Sequence, residues 1–166
     1  MFPESLKADA STLLDTLRSR QLKLAAAESC TGGLISALLT EIPGSSDVVE
    51  RGFVAYSNDA KAQMIGADAG LIAAHGAVSR EVALAMAAGA IKHSLADVSV
   101  AVTGIAGPGG SSAAKPVGLV HIAAARKGTS PIHIECRFGD VGRAEIRFRS
   151  VAAALKLVHQ VLDAQP

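Results

Sequence analysis

Cysteine is scarce in this 166-residue sequence: Cys30 and Cys136 are the only two, far apart and in no CxxC or mixed Cys/His spacing. That pattern disfavours a disulfide scaffold and a zinc site, and it fits the reduced thiols of a cytoplasmic protein. His75, His93, His121, His133 and His159 form neither an HxxxH nor an HExxH spacing, so no metal is expected. Excess charge is missing too. With a net charge of +1 and scattered basic residues, nothing drives counterion release from nucleic acid. No uncharged apolar stretch reaches the roughly 18 residues of a membrane span, and Met1 to Asp9 carries acids in place of an apolar signal core. The expectation is a soluble cytoplasmic protein with neither a membrane nor a nucleic-acid partner.

What the chain has is material for a core. Hydrophobic residues make up 49% and charged residues 19%, which excludes disorder, and the length suits one domain over 1–166. Leucines at helical spacing predict an opening amphipathic helix over Leu6–Arg18. Short apolar runs predict strands at Leu22–Ala27, Gly52–Tyr56, Val98–Val102, Val117–Ala125 and Ile132–Phe138. Helices are predicted at Gly33–Leu39, at Ala60–Ile65, from an N-cap at Ser79 through His93, and from Arg143 to Leu162. Helix and strand alternate early, and three strands follow in succession. The expected fold is therefore a single-domain α/β/α sandwich with a mixed parallel/antiparallel sheet. A short Ala-rich chain of this kind is also expected to associate as a dimer.

Four stretches carry the chemistry. Ala27-Glu28-Ser29-Cys30-Thr31-Gly32-Gly33 falls where the first strand ends and a helix begins. Backbone N–H groups at a helix start stabilise negative charge, so Ser29 has the setting of a nucleophile with an oxyanion site near Thr31, Gly32 and Gly33. Ser29 or Thr31 as a plain helix cap is the bland alternative, but two glycines in a first turn suit close approach of a ligand. Cys30 is a second candidate nucleophile beside it. At the next strand-to-helix junction, Tyr56-Ser57-Asn58-Asp59-Ala60-Lys61 contains the chain's one tyrosine. Lys61 would sit in a first helical turn, where the positive dipole end disfavours an ammonium and suits a neutral-amine base. Two such junctions of a partly parallel sheet open at the same edge, so Ser29, Tyr56 and Lys61 are expected to meet. The run Thr103-Gly104-Ile105-Ala106-Gly107-Pro108-Gly109-Gly110 matches neither GxGxxG nor a Walker loop; it reads as a mobile loop able to contact an anion or ring, or as a long turn. Arg143 and Arg147, one turn apart, suit phosphate or carboxylate recognition, with solvated arginines as the default.

Together with Gly44-Ser45-Ser46, Arg51-Gly52-Phe53-Val54-Ala55, His75-Gly76-Ala77-Val78-Ser79 and Lys115-Pro116-Val117-Gly118, these segments resemble the CinA C-terminal domain family, the nicotinamide-nucleotide amidohydrolases. The resemblance implies cleavage of the carboxamide of nicotinamide mononucleotide to nicotinate mononucleotide and ammonia, with Ser29, Lys61 and Tyr56 as the catalytic group and no cofactor. It implies substrate contacts from Cys30, Thr31, Gly32, Gly33, Asn58, Thr103, Gly104, Ile105, Ala106 and Gly107, with Arg143 and Arg147 toward the ribose phosphate. One departure is visible. Family members carry Gly-Asp-Arg before the last helix, whereas here Gly139-Asp140 is followed by Val141-Gly142-Arg143. Longer members add an N-terminal domain associated with ADP-ribose pyrophosphatase activity; 166 residues leave no room for it, so the amidase alone is expected. A nucleotide-binding regulatory protein without turnover is the competing reading.

Overall fold

The computed structural model describes residues 2–164. Helix α1 (Glu4–Ser19) leads into β1 (Leu24–Glu28), α2 (Leu34–Glu41), a 3-10 turn at Ser45–Asp47 and β2 (Val49–Val54). Three helices, α3 (Asn58–Ile65), α4 (Ala69–His75) and α5 (Arg80–Lys92), precede β3 (Val98–Gly104). The chain closes through β4 (Leu119–Arg126), β5 (Ile132–Arg137) and α6 (Arg143–Asp163). The five strands lie in the order β2-β1-β3-β4-β5. β1 runs parallel to both β2 and β3, and the β3/β4 and β4/β5 pairs are antiparallel. This is the mixed α/β sheet expected from the sequence, with parallel pairing confined to the strands joined through helices. No described helix is long and apolar enough to cross a membrane.

The sheet faces differ in the size of their side chains. Leu24, Ala26, Val98, Val100, Val102, Val120, Ile122 and Ala124 point to a layer that includes Leu13, Leu14 and Leu17 of α1 and the apolar side of α6. Each of those buried leucines contributes about 1.5–3 kcal/mol relative to exposure. Residues of opposite parity, Ala25, Ala27, Ala101, Ala123 and Ala125, face Val82, Ala83, Met86, Ala87 and Ala90 of α5. Small side chains on both partners let that helix lie close, and Gly89 continues the theme: a Cβ there would overlap the carbonyl oxygen of Ile65 at the end of α3.

Three departures from expectation bear on the site. The Gly/Ala-rich stretch after α3 contains α4, begun by Asp68, whose side chain accepts from the Leu71 N–H at 2.8 Å. Strand β2 starts at Val49 and ends at Val54, so Tyr56 stands beyond it in the connection to α3. Helix α2 starts at Leu34, since Gly33, with φ of 94°, is left-handed. The apolar side of α2 joins the α1/α6 layer, whereas α3, α4 and α5 cover the other face. The chain thus leaves β1 in one direction to reach β2 and crosses back to β3. Such a reversal opens a crevice outside the carboxyl ends of β1 and β3.

Candidate active site

Ser29 follows β1 directly and is held to the sheet by its own N–H, which donates to the Val102 carbonyl at 2.9 Å. Lys61 reaches it from the first turn of α3, a helix capped by Ser57, whose hydroxyl accepts from the Ala60 N–H at 3.0 Å. The Lys61 Nζ lies 3.0 Å from Ser29 Oγ and donates to the Tyr56 carbonyl oxygen at 3.3 Å. Lys61 is 2% exposed, and no carboxylate among the described residues pairs with it. Burial holds the amine's pKa below its ordinary 10.5, while nearby Cys30, if ionised, would act the other way. The sequence pointed to the helix dipole as the source of that depression; the structure adds the larger cause, removal from water.

The two residues open into a cavity of about 290 Å³, lined also by Cys30, Tyr56, Asn58, Thr103, Gly104, Ile105, Ala106, Gly107 and Arg143. Thr31, Gly32, Gly33 and Arg147, expected to contact substrate, do not line it. Their absence has a physical reason. The Gly32 N–H turns back to the Ser29 carbonyl at 3.0 Å, and the Gly33 N–H donates to Glu28 at 3.0 Å, so neither amide is free for an oxyanion. The amide of Cys30, beside the nucleophile and at the cavity, donates to no backbone carbonyl among the described residues. Arg147 lies behind the turn, donating to the Thr31 carbonyl at 2.7 Å. The Thr31 hydroxyl and Arg147 Nε are buried there without a partner among the described residues.

Two further expectations are modified. The part of Tyr56 at the lysine is its carbonyl; the phenol, on a residue 57% exposed, accepts from Arg143 at 2.8 Å. Arg143 also donates to the Gly107 carbonyl at 2.7 Å and so spans the cavity's mouth from the tyrosine to the glycine-rich loop. Cys30 is buried, and desolvation pushes its thiol up to about 12, the reverse of what a helix start alone suggests. A thiol protonated at neutral pH is a poor rival to Ser29.

Some contributors escaped the sequence, whereas others extend a stretch it had singled out. Ala77 and Val78 line the cavity without having been expected to, and Gly109 and Gly110 do so as part of the glycine-rich loop already singled out. His75 itself faces Glu81 at 3.7 Å. The Thr103 hydroxyl donates to the Ala77 carbonyl at 2.8 Å, and Lys115 Nζ donates to the carbonyls of His75 and Val78, both at 2.7 Å. Glu28 is also central, and its side chain is wholly buried. Among the described residues no three His, Cys, Asp or Glu side chains converge to hold a metal ion.

The fold with this cleft defines a class. Over 98% of the chain, with 49% identity and a TM-score of 0.96, it is similar to 99% of the competence/damage inducible protein CihA from Agrobacterium tumefaciens. It also matches a competence-damaged protein (CinA) superfamily protein from Escherichia coli, at 31% identity and a TM-score of 0.89, covering 97% of this chain and 94% of that one. A CinA-like protein from Mycolicibacterium paratuberculosis is 46% identical over 96% of this chain, which spans only 38% of that relative's length. The model of the CinA C-terminal domain matches residues 6–162, and the chain belongs to that family.

Proposed function

We propose that the protein is an amidohydrolase acting on nicotinamide mononucleotide, with Ser29 as nucleophile and Lys61 as general base. The observation that carries this reading is the 3.0 Å contact between the serine oxygen and a buried amine that has no carboxylate partner among the described residues. An amine whose pKa is depressed by burial gives up its proton more readily and so is better able to act as a base, and a serine oxygen relieved of its proton attacks an amide carbon. The Ser29 proton passes to Lys61 Nζ and then to the departing nitrogen, which leaves as ammonia while the nicotinoyl group, still carrying its ribose phosphate, stays esterified to Ser29. Water then gives a proton to Lys61 and its oxygen to the acyl carbon. Cleavage of the ester bond frees nicotinate mononucleotide, and the Ser29 oxygen takes back the proton from Lys61. The developing oxyanion is met by the Cys30 amide.

The mouth of the cavity suits a phosphate-bearing substrate. Arg143 is exposed, and its present partners, a phenol and a carbonyl, are neutral acceptors that an anion displaces with gain. Binding there gives the mononucleotide an advantage over free nicotinamide. The test is ammonia release from purified protein supplied with nicotinamide mononucleotide. Wild type is expected to turn over and Ser29→Ala, equally folded, to fall by about 10³-fold or more. Full turnover by Ser29→Ala would refute the assignment, and tight binding without ammonia would favour a regulatory nucleotide-binding protein.

A further inference from the structure

Glu28 is the residue before the proposed nucleophile, yet its side chain points away from solvent and is 0% exposed. One carboxylate oxygen accepts from the N–H groups of Gly33 and Ile35, both at 3.0 Å. The other accepts from the Ser36 N–H at 2.9 Å and the Ser36 hydroxyl at 2.8 Å. Burying a carboxylate is costly unless its lone pairs are filled, and here four donors fill them. Helix α2 needs a partner for its first amides, but that partner ordinarily sits at the residue just before the helix. Here that residue is Gly33, which has no side chain to offer, and the acceptor comes from the far side of the nucleophile.

The consequence is geometric. The Glu28 backbone is fixed between β2 and β3, in register with Val54 and Val102, and its carbonyl accepts from the Ala55 N–H at 2.9 Å. Its side chain fixes Gly33 to Ser36. Residues 29–32 therefore form a short bridge between two points tied to one side chain, with Ser29 at the start. We propose that Glu28 is a positioning residue: its carboxylate clamps this bridge so that Ser29 Oγ meets the Lys61 amine. The inference rests on the Ser29/Lys61 reading above.

Glutamine at this position keeps the length but replaces one acceptor oxygen by an NH₂ facing N–H or O–H donors. Displacement of a reacting group by about 1 Å is enough for losses on the order of 10²-fold. In Glu28→Gln, kcat per folded molecule is expected to drop by about 100-fold, with KM for nicotinamide mononucleotide within about threefold of wild type. Ser36→Ala removes one of the four bonds and is expected to lower kcat by about threefold. The rate at which phenylmethanesulfonyl fluoride modifies Ser29, followed by intact mass, should fall in the same order. Thermal melts give the folded fraction, and if Glu28→Gln does not fold, Ser36→Ala carries the test. Losses that merely follow the unfolded fraction, or a folded Glu28→Gln or Ser36→Ala with wild-type kcat and sulfonylation rate, overturn the positioning role and leave the Ser29 assignment standing. Wild type that neither releases ammonia nor is sulfonylated at Ser29 overturns both.

Discussion

Replacing Lys61 by methionine separates what this residue does for chemistry from what it does to stability. In the unfolded chain the amine titrates near 10.5, and burial lowers that value in the folded protein. Between the folded and unfolded pKa values the unfolded state binds one proton more, so stability rises with pH across that window. The slope cannot exceed one proton, about 1.4 kcal/mol per pH unit. The penalty is full below the folded pKa and gone above 10.5. Methionine fills similar space and has no proton to lose. It does forfeit the bonds to Ser29 Oγ and the Tyr56 carbonyl, at about 1 kcal/mol each. The variant's stability relative to wild type is therefore expected to be greatest at low pH, and to decline as pH rises until it is about 1–2 kcal/mol less stable near pH 10.5. Urea denaturation of both proteins from pH 6 upward measures this difference, and titrations common to both cancel in it. Ammonia release should drop by about 10²–10⁴-fold throughout. A stability difference that does not change with pH would show that Lys61 keeps its ordinary proton affinity, and the reasoning for a neutral-amine base would fail.

Cys30→Ala should release ammonia at pH 7 within about threefold of wild type, because a thiol raised to about 12 is protonated there; loss beyond about a hundredfold in a folded variant would make sulfur the nucleophile. Tyr56→Phe keeps the carbonyl at Lys61 and deletes the hydroxyl at Arg143. Steady-state kinetics should show KM rising more than kcat falls, whereas a fall of about 10² in kcat alone would put the phenol in the proton relay. Gly89→Ala should cost about 1–3 kcal/mol through overlap with the Ile65 carbonyl, lowering Tm by about 2 °C or more. An unchanged melting curve would mean the α3/α5 contact yields freely.

The pairing of Ser29 with Lys61 was legible because both follow strands of the parallel half, and parallel strands present their carboxyl ends on one side. The strands themselves were legible as short apolar runs, but which of their residues face the aliphatic layer and which the alanine-rich one emerges only from the structure. The entry into α2 differs from the expectation. Gly32 and Gly33 looked like an approach route for a ligand, but both adopt positive φ, and a Cβ on Gly32 would press to 3.3 Å from the Arg147 guanidinium. The role of Glu28 is hidden in the sequence because an acid flanking a serine resembles any surface charge, and its carboxylate reaches the helix start only across the intervening turn. Arg147 shares a helical turn with Arg143, yet the wall of the cavity falls between them. Linear spacing does not reveal such a boundary.

Lys115 extends one ammonium to two carbonyls of a single neighbouring segment, those of His75 and Val78. It belongs to the connection that carries Gly107 to Gly110, and it grips the backbone on either side of Ala77, so two segments that line the cavity are tied by one side chain. The two segments are thereby coupled like two leaves on one pin. Reshaping the connection to admit a bulkier ring will also shift the other segment, so attempts to retune selectivity have to vary both together.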